Sequence, residues 1–169
     1  MKKILLGIVF IMAGLKAANS QAVKKIIFGA GIRAGLPIGD FEEFTSFGIG
    51  GELQGEYKFA DMISGVGTIG YTNFFGKDYG GGKTKSTGYI PILAGIRVYP
   101  VIRFFLGAQI GYGILTGGNN SEGAFNYQLQ VGYNASKFQL ALNYNGLSNN
   151  GATFSHISLT GIFKFYPGK

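Results

Sequence analysis

The stretch Phe125-Asn-Tyr-Gln-Leu-Gln-Val-Gly-Tyr-Asn134 carries a large apolar side chain at every odd position and a polar group or glycine at every even one. Successive side chains of an extended strand point to opposite faces, so this segment has one greasy side and one wet side. The same period of two recurs in eight segments, at roughly 26–36, 46–58, 65–75, 88–99, 103–115, 124–134, 138–146 and 154–166. Their predicted apolar faces run from Phe28/Ala30/Ile32/Ala34/Leu36 in the first to Ile157/Leu159/Phe163/Phe165 in the last. With each register set on apolar residues alone, the charges inside the segments, Arg33, Glu52, Glu56, Lys58, Arg97, Arg103 and Lys164, all fall on the other face.

Which face meets water decides the architecture. A soluble sandwich or lipocalin-like barrel would turn its charges outward. Two features favour the inverse arrangement. The wet face is small and rich in glycine (Gly29, Gly31, Gly35, Gly48, Gly50, Gly107, Gly111, Gly113, Gly132), which suits a narrow lumen where the sheet must bend. The apolar face carries aromatic rings toward the strand ends, such as Phe28, Tyr57, Tyr71, Phe75, Tyr112, Tyr133, Tyr144 and Phe165, in the manner of the aromatic girdles of membrane barrels. A Lys or Arg facing lipid at the midplane costs about 2–4 kcal/mol, which explains why charges avoid that side. The expected fold is therefore all-β, an eight-stranded antiparallel up-and-down transmembrane β-barrel over residues 23–169.

The connections are expected to alternate in length. Three are short, Phe59–Met62, Pro100–Ile102 and Ala135–Lys137; four are longer, Pro37–Thr45, Gly76–Thr87, Thr116–Gly123 and Gly146–Thr153. Short periplasmic turns and long outer loops are the habit of such barrels. With 30 Gly, 25 Phe and Tyr together and only 4 Pro, the composition suits pleated strands and disfavours long helices.

The first 22 residues read differently. Met1-Lys2-Lys3 is a basic start, Ile4–Leu15 an apolar run, and Ala17–Ala22 a small polar stretch that offers cleavage after Ser20 or Ala22. This is the layout of a secretory signal peptide, and twelve apolar residues fall short of the ~20 that a spanning helix needs. The formal charge is +7, but removing Lys2, Lys3 and Lys16 leaves twelve basic against eight acidic side chains. The remaining Lys and Arg are scattered and not gathered on one face, so no nucleic-acid partner is expected. The absence of cysteine excludes disulfides, thiolate metal sites and a lipid-anchored precursor.

The hairpin of Tyr89-Ile-Pro-Ile-Leu-Ala-Gly-Ile-Arg-Val-Tyr99 and Phe104-Phe-Leu-Gly-Ala-Gln-Ile-Gly-Tyr112, set in this pattern, resembles the small OmpA/OmpX-type, porin-like outer-membrane β-barrel family. The resemblance spans about residues 26–166 and implies a bacterial outer membrane location, contact with membrane lipid and lipopolysaccharide, handling by the outer-membrane insertion machinery, and a monomer. One departure concerns that machinery, which reads a terminal aromatic residue in family members. Here Phe165-Tyr166 is followed by Pro167-Gly168-Lys169.

Candidate chemistry is confined to the lumen. An eight-stranded barrel is just wide enough for side chains to fill. The expected polar network there comprises Arg33, Glu52, Glu56, Arg97, Arg103, Gln109, Gln128, Gln130, Asn143, His156 and Lys164, with Asn145 beside them and Arg33 pairing with Glu52 or Glu56. His156-Ile157-Ser158 is similar to the His-x-Ser pair of outer-membrane lipid A deacylases, but no Asp or Glu follows Ser158 to orient the histidine. Gly80-Gly81-Gly82-Lys83-Thr84 supplies the ending of a phosphate loop without its spacing or its helix. No catalytic residue, cofactor or metal site is expected. The function expected is a non-enzymatic barrel acting in envelope integrity or surface contact through its loops, with a small porin-like channel as the alternative and a lipid A-modifying enzyme using His156 and Ser158 behind both.

Overall fold

The structure is a computed structural model that describes residues 25–77, 85–117, 120–149 and 152–167. The signal-peptide segment and the Gly80–Thr84 run lie outside the described residues. Eight strands follow in order: β1 (Lys25–Ile38), β2 (Thr45–Ala60), β3 (Ile63–Gly76), β4 (Thr87–Val101), β5 (Phe104–Gly117), β6 (Asn120–Asn134), β7 (Phe138–Asn149) and β8 (Ala152–Pro167). Among the described residues one short helix, α1 (Asp40–Phe44), sits between β1 and β2.

Each strand pairs antiparallel with its neighbours in sequence, and β1 pairs with β8 to close the barrel. Closure leaves no open edge, which is what a sheet surrounded by lipid requires, since unpaired backbone groups find no water there. The alternation sets the faces as expected. Ile32, Leu53, Ile96, Leu106, Ile110, Leu129 and Phe163 are each about half exposed or more on the outer surface, while Arg33, Glu52, Glu56 and Arg97 are buried inside. Aromatic pairs brace both rims of the outer belt, Phe47 on Phe75 at 5.8 Å and Phe104 on Tyr133 at 5.3 Å between ring centres.

The connections depart from the expected alternation. The three on the periplasmic-type end are tight, as read. Of the four on the other end, only those between β1 and β2 and between β3 and β4 are long. Thr116–Gly123 and Gly146–Thr153 are largely strand: β5 pairs with β6 as far as Gly117↔Asn120, and β7 with β8 as far as Asn149↔Ala152. These segments lack alternation, yet their backbones hydrogen-bond all the same, and the strands run 12–16 residues.

The first long connection folds inward. Gly39 takes a positive φ of 65°, a conformation that glycine reaches without the usual Cβ penalty, and this turns the chain into α1. Asp40, Glu42 and Glu43 occupy its first turn, where acidic side chains suit the exposed N–H groups. Thr45 Oγ1 donates to Phe41 O at 2.7 Å and closes the far end. The helix thereby points Phe41 into the barrel mouth, where it is 4% exposed.

Candidate functional site in the barrel lumen

The lumen is filled in layers from the α1 end downward. The uppermost layer is apolar: Phe41, Phe74, Tyr89, Ala124 and Leu147 form one buried cluster. Phe41 meets Phe74 edge-on at 5.1 Å. Phe74 fits there because Gly48 and Gly35 lie across from it; a Cβ on Gly48 would come within 2.5 Å of its ring. His156 closes the layer from below, its ring 5.0 Å from both Phe74 and Tyr89 in edge-on geometry.

The middle layer is ionic. Arg33 of β1 forms an ion pair with Glu52 of β2, one diagonal step away because Gly31 is the direct partner of Glu52. The Arg33 Nη2 group also donates to Gln128 Oε1 across the lumen at 3.1 Å. Several polar atoms at this height have no protein partner among the described residues: Arg33 Nε and Nη1, Gln128 Nε2, Asn145 Oδ1 and both ring nitrogens of His156.

The lower layer is more fully bonded and centres on Arg97. Its Nε donates to Gln130 Oε1 at 3.0 Å, its Nη1 to Glu56 Oε2 at 3.2 Å and Gln139 Oε1 at 3.0 Å, and its Nη2 to Gln54 Oε1 at 2.7 Å and Gln130 Oε1 at 2.9 Å. One planar guanidinium with five N–H groups thus ties β4 to β2, β6 and β7, a role its fixed fork geometry allows. The other face of Arg97 lies 4.5 Å over the Phe105 ring. Glu56 accepts further bonds from Ser64 Oγ at 2.7 Å and Tyr99 Oη at 2.5 Å. Gln109 donates to Gln130, Gln130 to Asn143, and Asn143 to Thr160, at 2.9–3.0 Å. Below this sits a small apolar floor of Tyr99, Phe105 and Ala141.

The structure gathers Arg33, Glu52, Glu56, Arg97, Gln109, Gln128, Gln130, Asn143 and His156 inside the lumen, all nearly fully buried. Lys164 lies at the inner end, its Nζ donating to Asn134 Oδ1 at 2.7 Å and to Ala135 O. Arg103 is a correction. It sits in the turn between β4 and β5, exposed, with its Nη1 on Tyr133 Oη at 3.2 Å. The turn is closed by the pair Val101↔Phe104, so Ile102 and Arg103 form its tip and the strand face does not apply to them.

The chain pattern under-read the interior apolar groups. Phe74, Tyr89, Tyr99, Phe105, Leu147 and Ile162 all point inward. A signal existed: in the doublets Phe74-Phe75 and Phe104-Phe105, one ring must be inside whatever the register. Gln54 and Gln139 were missed as Arg97 partners, although Gln54 lies between Glu52 and Glu56 on the same face. Ser158 faces the lumen and is within 3.3 Å of the amide groups of Asn143 and Asn145. It makes no hydrogen bond to His156 among the described residues, and no carboxylate orients that ring, so nothing here activates a nucleophile.

No protein-family description matches the chain, and no curated protein is similar to it in sequence. Solved structures are similar in shape. Ail, the attachment invasion locus protein of Yersinia pestis, superposes with a TM-score of 0.60 at 14% identity, covering 84% of this chain and 99% of Ail. The N-terminal β-barrel domain of Pseudomonas aeruginosa OprF gives 0.56 at 12% identity, covering 86% and 100%. Neisserial surface protein A gives 0.56 at 12%, covering 86% and 98%. With its closed ring of eight antiparallel strands, greasy outside and polar within, the chain has the fold of the small OmpA/OmpX-type outer-membrane β-barrels.

Proposed function

We propose that the chain is a non-enzymatic bacterial outer-membrane barrel with a side-chain-filled lumen, contributing to envelope integrity or to surface contact through its outer connections. The observation that carries this is the Arg97 network. A passing ion would have to displace the hydrogen bonds that one buried guanidinium donates to β2, β6 and β7 and then pass the Phe41 and Phe74 layer. The outward belt would meet membrane lipid and, in the outer leaflet, lipopolysaccharide. Export through the signal peptide, assembly by the insertion machinery and a monomeric state belong to the same reading. Surface contact is supported by α1, which leaves Phe44 55% exposed beside Asp40, Glu42 and Glu43 at the outer mouth.

Single-channel recording in a planar bilayer is the test. The expected trace shows no steady discrete openings, and regular openings would overturn the filled-lumen reading in favour of a small porin-like channel. That second reading has one observation behind it: the unpartnered polar atoms of Arg33, Gln128, Asn145 and His156 offer sites where water could sit. The lipid A-modifying reading is tested by His156→Ala. Mass spectrometry of lipid A is expected to show no difference between cells carrying this variant and cells carrying the parent.

A further inference from the structure

The inner mouth of the barrel gathers three basic side chains. Lys58 of β2, Arg103 of the β4–β5 turn and Lys164 of β8 line one cavity of about 460 Å³, and among the described residues no acidic side chain lines it. The closest carboxylate in sequence, Glu56, is already engaged by Ser64, Tyr99 and Arg97. Asp61 is exposed in the β2–β3 turn and does not line the cavity.

The three cations are positioned. The Lys58 ammonium rests 4.5 Å over the Tyr99 ring. Arg103 is held by Tyr133 Oη. Lys164 is tied to Asn134 and Ala135 at the end of β6. The backbone beneath them is stitched as well, Asn134 N–H to Arg103 O at 2.7 Å and Lys164 N–H to Lys137 O at 2.8 Å. Neutral donors stand between the charges, since Asn134 and Ser136 also line the cavity. Like charges held together in a partly enclosed space repel one another and raise the local potential for an anion.

The surroundings define the anion. The rim beside the cavity is apolar: Ile102 is 89% exposed, Val101 61%, Phe104 54% and Phe138 56%. This combination of a basic cup with a greasy lip fits the level of the inner-leaflet headgroups, where a phosphate meets its acyl chains, and basic pockets at such a level hold anionic lipid heads. We infer that the inner mouth is a binding site for a phosphate-bearing anion, of the kind an anionic phospholipid headgroup presents. This inference is independent of whether the lumen conducts.

The experiment titrates the isotopically labelled protein, dissolved in an uncharged glucoside detergent, with inorganic phosphate in one arm and short-chain phosphatidylglycerol in the other. Amide resonances are followed. Saturable shifts confined to residues around 58, 102–103, 133–136 and 164 are expected. Saturation at markedly lower phosphatidylglycerol than phosphate identifies lipid as the source, and equal saturation identifies free phosphate; either supports the site. The double variant Lys58→Gln/Arg103→Gln removes two exposed or half-buried charges, and its fold is checked by gel mobility before and after boiling. It should bind about tenfold more weakly or worse, given the contribution of each basic residue at a membrane surface. Shifts that fail to localise or to saturate with both probes, or that persist unchanged in the folded double variant, overturn the inference.

Discussion

The upper and lower layers of the lumen close the same narrow tube by opposite means. Beneath α1 the closure is made by volume: Phe41, Phe74, Tyr89 and Leu147 fill space that glycines on facing strands leave open. Around Arg97 it is made by hydrogen bonds, with Gln54, Glu56, Gln130 and Gln139 converging on one cation. A volume-based closure tolerates a change of shape that keeps the bulk, because dispersion contacts are many and individually weak. A hydrogen-bonded closure has no such reserve, because deleting one member leaves buried charge and dipoles with no partner.

The largest expected effect comes from breaking the lower layer. Arg97→Met leaves Glu56 buried without its cation, and urea unfolding of the protein in lipid vesicles should show a loss of about 3–5 kcal/mol. Adding Glu56→Leu should recover much of that loss, since an apolar pair of similar volume is often as stable as the ion pair it replaces; failure to recover would mean that the network holds the barrel by more than mutual compensation. Next in size is the upper layer's dependence on space. Gly48→Ala drives a methyl group against the Phe74 ring, and overpacking of this kind costs about 1–3 kcal/mol in the same assay. Smallest is Leu147→Met, a volume-conserving exchange expected to cost less than about 1.5 kcal/mol. A Leu147→Met loss as large as that of Arg97→Met would erase the contrast between the layers.

Much of the fold was legible because lipid imposes a simple rule. Each strand had to show grease on one side, and with the register set by that grease alone Arg33 and Arg97 fell on the face turned away from the acyl chains. The inside obeys a looser rule. A lumen side chain needs only to fit and to satisfy its polar atoms, so Phe74, Phe105 and Leu147 are as acceptable there as Gln128, and alternation between apolar and polar cannot announce them. The polar site was readable in its charges, and less so in its uncharged partners. Gln54 and Gln139 look like any other wet-face residue until the guanidinium they share is placed in three dimensions. The outer ends were misjudged for a related reason. Leu115-Thr116-Gly117 and Asn120–Gly123 have no two-residue rhythm, but backbone pairing does not require one. Arg103 shows the limit of the rule itself, which ends where the chain turns back.

The pairing of β1 with β8, from Ile27↔Pro167 to Ile38↔Ser155, has a consequence for assembly. The first strand of the ring must find the eighth, so an unassembled chain carries a raw edge until every strand between them is in place. Contacts that far apart in the chain are slow to form and expose the unfinished product to mispairing with its own kind. Completion is all or nothing: a cylinder lacking one stave is an open, sticky ribbon, and whatever escorts this polypeptide has to shield that ribbon until the final seam zips.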